Sequence, residues 1–246
     1  MRTYIIGEAG IGYAGLTYLE RKTAAMEYAD VAKRCGADAV KFQMFVPHED
    51  LFCPMPGDEK RKTRWSNCYL HFEEWREVKY HCDDIGIDFL ASAFQNTTVE
   101  WCEKLEMKYY KVAARALVSY PYSKVYGPFL VSVDDSRGPI PRSGPRFITM
   151  RVCREYPSPL AKSFWRKDTA GLSDHSGTPY PGLHAIAHGA EFLEVHFEFR
   201  KNELNPDLPV CLTWAELTLL CEFRDAIAEN DKNTSQIRES GRRAVV

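Results

Sequence analysis

This sequence predicts an α/β fold, a closed eight-stranded (β/α)8 TIM barrel, and three observations predict it. Short apolar runs alternate with helical segments along almost the whole chain, the rhythm of parallel β/α architecture. The runs number eight, and polar or charged residues gather at their C-terminal ends, where such barrels carry their chemistry. A length of 246 residues suits one barrel.

The elements follow in order. Tyr4-Ile5-Ile6-Gly7-Glu8 is an apolar run ending in a carboxylate, the first strand. Over 17–35, Tyr18, Ala24, Ala25, Tyr28, Ala29 and Ala32 recur near the helical period, and Gly36 is placed to stop that helix. Ala39-Val40-Lys41-Phe42-Gln43 reads as the second strand. Residues 46–70 hold Pro47, Pro54, Pro56 and Gly57 and predict a long loop. A helix over 72–85 stops at Gly86, and Asp88 to Phe94 is the third strand. Thr97 or Thr98 can cap a helix through Leu105. Residues 109–113 and 129–133 are the fourth and fifth strands. Residues 134–146 carry three prolines and two glycines, so the helix after strand five is missing. Residues 147–152, 170–175 and 190–197 complete the strands, with a short helix near 180–188. Thr213-Trp214-Ala215-Glu216 has the pattern of a capping box and opens a helix to about Asn230. The barrel domain is therefore expected over 1–230, followed by a polar, frayed C-terminal tail over 231–246.

Composition narrows the function. At 45% hydrophobic and 27% charged residues, the chain is an ordinary globular protein. Its net charge of −2 gives no global case for nucleic acid, and no apolar run approaches a membrane span. The eight cysteines include no C-x-x-C pair, and the N-terminus enters a strand directly. Free buried thiols and a reducing, cytoplasmic compartment are expected.

The strand ends, read in order, offer Glu8, Lys41 with Gln43, Ser92, Lys111, Ser132, Arg151 with Arg154, Ser173 with His175, and Glu194 with His196. Two strand-end imidazoles, His175 and His196, on neighbouring parallel strands suit a divalent metal with open coordination positions. Lysines inside apolar runs are costly to bury unpaired, so Lys41 and Lys111 call for anionic partners, either Glu8 or an anionic ligand. No nucleophile elbow and no phosphate-binding P-loop competes with this reading.

Several stretches resemble the sialic acid (N-acetylneuraminate) synthases and their relatives. They include Gly7-Glu8-Ala9-Gly10, Ala37-Asp38-Ala39-Val40-Lys41-Phe42-Gln43, Tyr110-Lys111-Val112-Ala113, Glu155-Tyr156-Pro157, Leu172-Ser173-Asp174-His175 and Glu194-Val195-His196-Phe197. They run in family order over about 4–220, the family's barrel without its C-terminal antifreeze-like domain. The resemblance implies an enzyme that condenses phosphoenolpyruvate with an aldose such as N-acetylmannosamine and releases phosphate. A divalent cofactor, Mn2+ or Mg2+, would sit on His175 and His196. By resemblance, Lys41, Ser92, Lys111 and Ser173 match positions that hold phosphoenolpyruvate. Glu8, Gln43, Tyr156 and Asp207 match positions around the sugar and metal. Glu8, Lys41, Lys111 and Asp207 are the expected catalytic set.

The chain departs from the family pattern at Ala113-Ala114-Arg115-Ala116, where a phosphate-binding Ser and a Glu are absent. Arg115 or Arg154 is expected to replace the lost phosphate contact. A homo-oligomer or a partner subunit is expected to cover the open site, and the flank near strands five and six is expected to be exposed. The alternative to a synthase is a degenerate barrel that binds phosphoenolpyruvate or a similar anion without turnover. A different barrel chemistry is a further alternative, because fold alone does not fix function.

Overall fold

The computed structural model describes residues 2–134 and 146–243. Eight parallel strands form one sheet: β1 (Tyr4–Gly10), β2 (Ala39–Met44), β3 (Asp88–Ala93), β4 (Tyr110–Val112), β5 (Phe129–Val133), β6 (Phe147–Val152), β7 (Gly171–Asp174) and β8 (Phe192–Glu198). β1 pairs with β8 as well as with β2, which closes the predicted barrel. A two-residue strand β9 (Leu212–Thr213), absent from the sequence reading, pairs with β8.

The helices are α1 (Tyr18–Cys35), α2 (Lys62–Asn67), α3 (Phe72–Ile85), α4 (Asn96–Lys104), α5 (Tyr180–Ala187) and α6 (Trp214–Arg243). α1 ends where its glycine dictates, with Gly36 at φ 89° and its amide on the last carbonyls. α2 lies inside the stretch read as loop, too short and too polar to carry a periodic signal. α6 continues past the predicted end at Asn230, through a stretch with no proline. No helix among the described residues is long and apolar enough to cross a membrane.

The strand register builds the site. Ile6, Ala39, Leu90, Leu130, Met150 and Phe192 form an apolar plug inside the barrel. Residues two positions further along a strand share the same face. The plug residues are therefore followed, one layer higher, by Glu8, Lys41, Ser92, Ser132 and Glu194. Cross-strand pairing sets these side by side: Glu8 opposite both Lys41 and His196, Ser92 opposite Lys111, Ser173 opposite Glu194. At the end of β1 the register shifts between Glu8 and Gly10, a bulge that bends the strand beside the site.

Two crossovers besides the one expected to lack its helix carry no α-helix. The β4–β5 connection holds only the 3-10 turns Ala114–Ala116 and Tyr122–Lys124, and β6–β7 only Leu160–Lys162. Pro121 and Pro128 interrupt the first, Pro157 and Pro159 the second. In the β5–β6 connection, 135–145 lie outside the described residues.

The flank expected to be exposed is closed at β5. Phe129, Val131 and Val133 are buried. The rings of Tyr120, Tyr122 and Phe147 stand 5.9, 5.1 and 5.4 Å from that of Phe129. Aromatic side chains from the turns before β5 and from the start of β6 thus cover it where no helix does. Next to them, Arg151 on β6 donates to the carbonyls of Lys162 and Phe164 and ties down the β6–β7 loop.

Candidate active site

The floor of the site is a buried set of four charges. Lys41 Nζ lies 2.6 Å from Glu8 Oε2 and 3.7 Å from Glu194 Oε2. Lys111 Nζ lies 3.6 Å from the other oxygen of Glu194. Serines complete the layer: Lys41 donates to Ser92 at 3.0 Å, Lys111 to Ser132 at 2.7 Å, and Ser173 to Glu194 at 2.9 Å. Glu194, offered by its strand-end position without an assigned role, is the hub between both lysines. All four are almost fully buried, so each needs its neighbours to stay charged.

Electrostatics sort the four. Burial pushes the Glu194 carboxyl up, but Lys111 and Lys41 outweigh it and hold it at about 2. Burial raises the Glu8 carboxyl, and Lys41 offsets this only in part. Burial works against the Lys41 ammonium, yet Glu194 and Glu8 leave it raised. Lys111 is lowered by burial and by Lys41, against the pull of Glu194. Glu8 is therefore the carboxyl most ready to take up a proton, and Lys111 the ammonium most ready to lose one.

Above the floor, His175 and His196 face each other with ring centroids 5.2 Å apart. The Tyr156 ring packs 5.1 Å from His175, and its hydroxyl donates to Asp207 at 2.7 Å. Asp207 Oδ2 stands 3.8 Å from His196 Nδ1. Gly10, at φ 56°, permits this approach: a methyl group there would stand 3.0 Å from Asp207 Oδ2. Gln43 donates to Glu8 at 3.3 Å, so the four positions matched to the sugar side converge. The whole lines a cavity of about 880 Å3.

The donor set tests the metal. Nδ1 of His175 and Nδ1 of His196 are buried without a hydrogen-bond partner. Burial, then His196, holds the His175 imidazole at about 3, so it is neutral at neutral pH, the form that ligates metals. Among the described residues, no group of three or more His, Cys, Asp or Glu side chains forms a complete cage. Two orphaned imidazoles fit a divalent ion that fills its remaining positions with oxygen from substrate or water.

Comparison with known proteins now bears on this geometry. A family model described as the NeuB family matches residues 28–129 and 155–235. The chain belongs to the NeuB family. The N,N'-diacetyllegionaminic acid synthase of Campylobacter jejuni is 25% identical over 274 residues, covering 96% of this chain and 80% of that protein. The spore coat polysaccharide biosynthesis protein SpsE of Bacillus subtilis is 25% identical, covering 95% of this chain and 69% of SpsE. The crystal structure of N-acetylneuraminic acid (sialic acid) synthetase from Leptospira borgpetersenii matches with a TM-score of 0.74 at 18% identity. That match covers 99% of this chain and 93% of the other, and it is a likeness of fold. This NeuB barrel is thus sialic and legionaminic acid synthase-like.

The NeuB barrel brings together the strand-end residues singled out in the sequence except Arg151, which holds the β6–β7 loop, though not all on equal terms. Glu8, Lys41, Gln43, Ser92, Lys111, Tyr156, Ser173, His175, His196 and Asp207 line one cavity, as do Arg115 and Arg154. Arg115 is already engaged: it donates to Asp58 at 2.6 Å and to the carbonyl of Cys53 at 2.8 Å. Arg154 is largely exposed, 3.5 Å from Asp134. Sequence reasoning missed Asp58, Arg61, Arg64 and Asn205. Asn205 is buried, donates to Glu198, and accepts the Asp207 amide at 3.0 Å, so it sets the loop that delivers Asp207. The Asn205-Pro206 pair was a readable turn signal. No periodic or strand-end signal marked Asp58, Arg61 or Arg64.

Proposed function

We propose that this NeuB barrel condenses phosphoenolpyruvate with an aldose of the N-acetylmannosamine type to give a nonulosonic acid and phosphate. The observation that carries the reading is the buried floor, where Lys41 and Lys111 share Glu194 beneath two facing imidazoles. In this reading Lys41, Ser92, Lys111 and Ser173 bind the phosphate and carboxylate of phosphoenolpyruvate, with Arg115 or Arg154 adding a guanidinium. A carbon–carbon bond forms between C3 of phosphoenolpyruvate and the aldehyde carbon. Water adds at C2, and phosphate leaves. Glu8, with its raised carboxyl, moves the proton at the acceptor oxygen or the water. Gln43, Tyr156 and Asp207 orient the sugar and exclude bulk water. A divalent ion on His175 and His196, Mn2+ or Mg2+, would supply Lewis-acid polarisation of the aldehyde.

The test mixes protein, phosphoenolpyruvate, Mn2+ and a panel of aldoses and follows inorganic phosphate. Release that needs one aldose, stops on chelation, returns with Mn2+ and is lost in His175→Ala supports the reading. A second reading, a barrel that binds the anion without turnover, is favoured by Ala114 and Ala116, whose methyl groups stand where the resemblance expects Ser and Glu. Binding of phosphoenolpyruvate without phosphate release from any aldose would select it.

A further inference from the structure

We infer that Glu198 is a positioning residue of this site: through Asn205 it holds Asp207 against Tyr156 and His196. Its effect on turnover rests on the synthase reading above; its effect on the loop does not.

Glu198 closes β8, two residues beyond His196, and is buried. A buried carboxylate is costly unless donors surround it. Here four neutral donors do. The Tyr28 hydroxyl of α1 and the amides of Phe199 (3.2 Å) and Arg200 (3.4 Å) reach Oε1, and Asn205 Nδ2 reaches Oε2 at 3.0 Å. An ionised carboxylate only accepts, so it dictates how the Asn205 amide lies. The NH2 of Asn205 must face Glu198, which leaves its Oδ1 for the Asp207 amide at 3.0 Å. Asp207 then accepts the Tyr156 hydroxyl at 2.7 Å and stands 3.8 Å from His196 Nδ1. Tyr28, Glu198 and Asn205 do not themselves line the cavity, so they bear on it through Asp207. The stretch from β8 to the 3-10 turn Leu208–Val210 has no helix or strand, so side chains set its course. Asn202 gives it a second fastening, donating to the carbonyls of Gly12 and Ala14 at 2.6 and 3.0 Å. Gly12 also leaves room for Tyr28, whose hydroxyl any side chain there would strike. The connection after β8 is thus tied to the β1–α1 side of the barrel, with Glu198 as the tie that points Asp207.

The experiment reverses the polarity of one hydrogen bond. Glu198→Gln puts an amide where four donors converge, so whichever way it turns its NH2 meets another donor. Asn205→Asp sets two carboxylates against each other. In the Glu198→Gln/Asn205→Asp double variant the glutamine donates to the aspartate, every other donor keeps an acceptor, and net charge is unchanged. Hydrogen exchange of the Asp207 amide is measured in the ligand-free protein, relative to the amides of β1. Phosphate release with phosphoenolpyruvate, Mn2+ and the aldose that supports turnover gives kcat and KM. Both single variants are expected to speed exchange at Asp207 and to lower kcat about tenfold, with KM for phosphoenolpyruvate within about twofold. The double variant is expected to recover both readings to within about threefold of wild type. Should a single variant not fold, wild-type exchange and kcat in the double variant support the inference and their loss overturns it. A lower melting temperature with relative exchange and kcat unchanged also overturns it, since Glu198 would then only stabilise. Opposite changes of kcat in the two single variants do so too, because charge rather than position would link Glu198 to the site. A double variant no better than the single ones has the same meaning. If even the wild type releases no phosphate with any aldose, the synthase reading falls, and the exchange pattern alone decides whether Glu198 positions Asp207.

Discussion

Glu194 shows how much depends on one side chain in this site. It balances two buried lysines and accepts from Ser173. Glu194→Gln keeps the shape but leaves Lys41 and Lys111 to share Glu8. Breaking a buried ion pair from one side costs about 3 kcal/mol or more, so denaturant unfolding of this variant should show a loss of that order. An unchanged midpoint would mean that the network adds nothing to stability. Asp58 makes a second case, through pH. Burial pushes its carboxyl up, but Arg115, the Met55 amide and Arg61 outweigh that and hold it below its usual range. A depressed folded pKa means that the stabilisation is complete above the unfolded value, about 3.9, and is lost as pH falls through the lower folded one. Asp58→Asn should therefore cost about 2 kcal/mol near pH 7 and lose less stability on acidification than the wild type. Urea midpoints taken from pH 7 to pH 3 check both. At this scale the sequence was most legible where strand periodicity applies. Glu8, Lys41, Ser92, His175 and His196 fall at strand ends and were found. Asp58 and Arg64 come from a proline-rich connection whose path no period reveals, and the pairing of Arg115 with Asp58 is a tertiary fact with no local trace.

At the scale of elements, the unusual feature is what covers the barrel. β1, β2, β3, β7 and β8 are followed by α-helices, whereas the β4–β5 and β6–β7 connections hold only 3-10 turns among the described residues. The strands were readable because buried apolar runs declare themselves. The helix-free connections were only partly so: the segments at 113–128 and 153–170 gave weaker signals than the proline cluster at 134–146, most of which lies outside the described residues. Cover at β5 comes from Tyr120, Tyr122 and Phe147 around Phe129. If these rings replace a helix, Phe129→Ala should cost about 3–5 kcal/mol, a full core penalty, in equilibrium unfolding. A cost below about 1 kcal/mol would show that the patch yields without consequence.

For the whole molecule, the unequal cover predicts unequal local stability. Elements held by turns and loops open at lower free energy than those clamped by helices. Amide hydrogen exchange should therefore be faster in β5 and β6 than in β1, β2 and β8, even though all five belong to one closed cylinder. Equal protection around the ring would mean that the barrel opens only as a unit. The cavity lies across both regimes. Lys41 and His196 stand on the helix-covered side, while Lys111 and Ser132 stand on the other.

The pairing of β1 with β8 has a consequence for how the protein comes into being. Tyr4 to Glu8 meet Phe192 to His196, partners separated by most of the chain. During synthesis β1 emerges well before β8 and keeps one edge without its mate until β8 has left the ribosome. Non-local closure of this kind is slow and leaves sticky intermediates in the meantime. Glu194 and His196 arrive on that last strand. A nascent chain therefore cannot assemble its charge-balanced floor ahead of time, and the maturation of the reactive centre coincides with the sealing of the barrel.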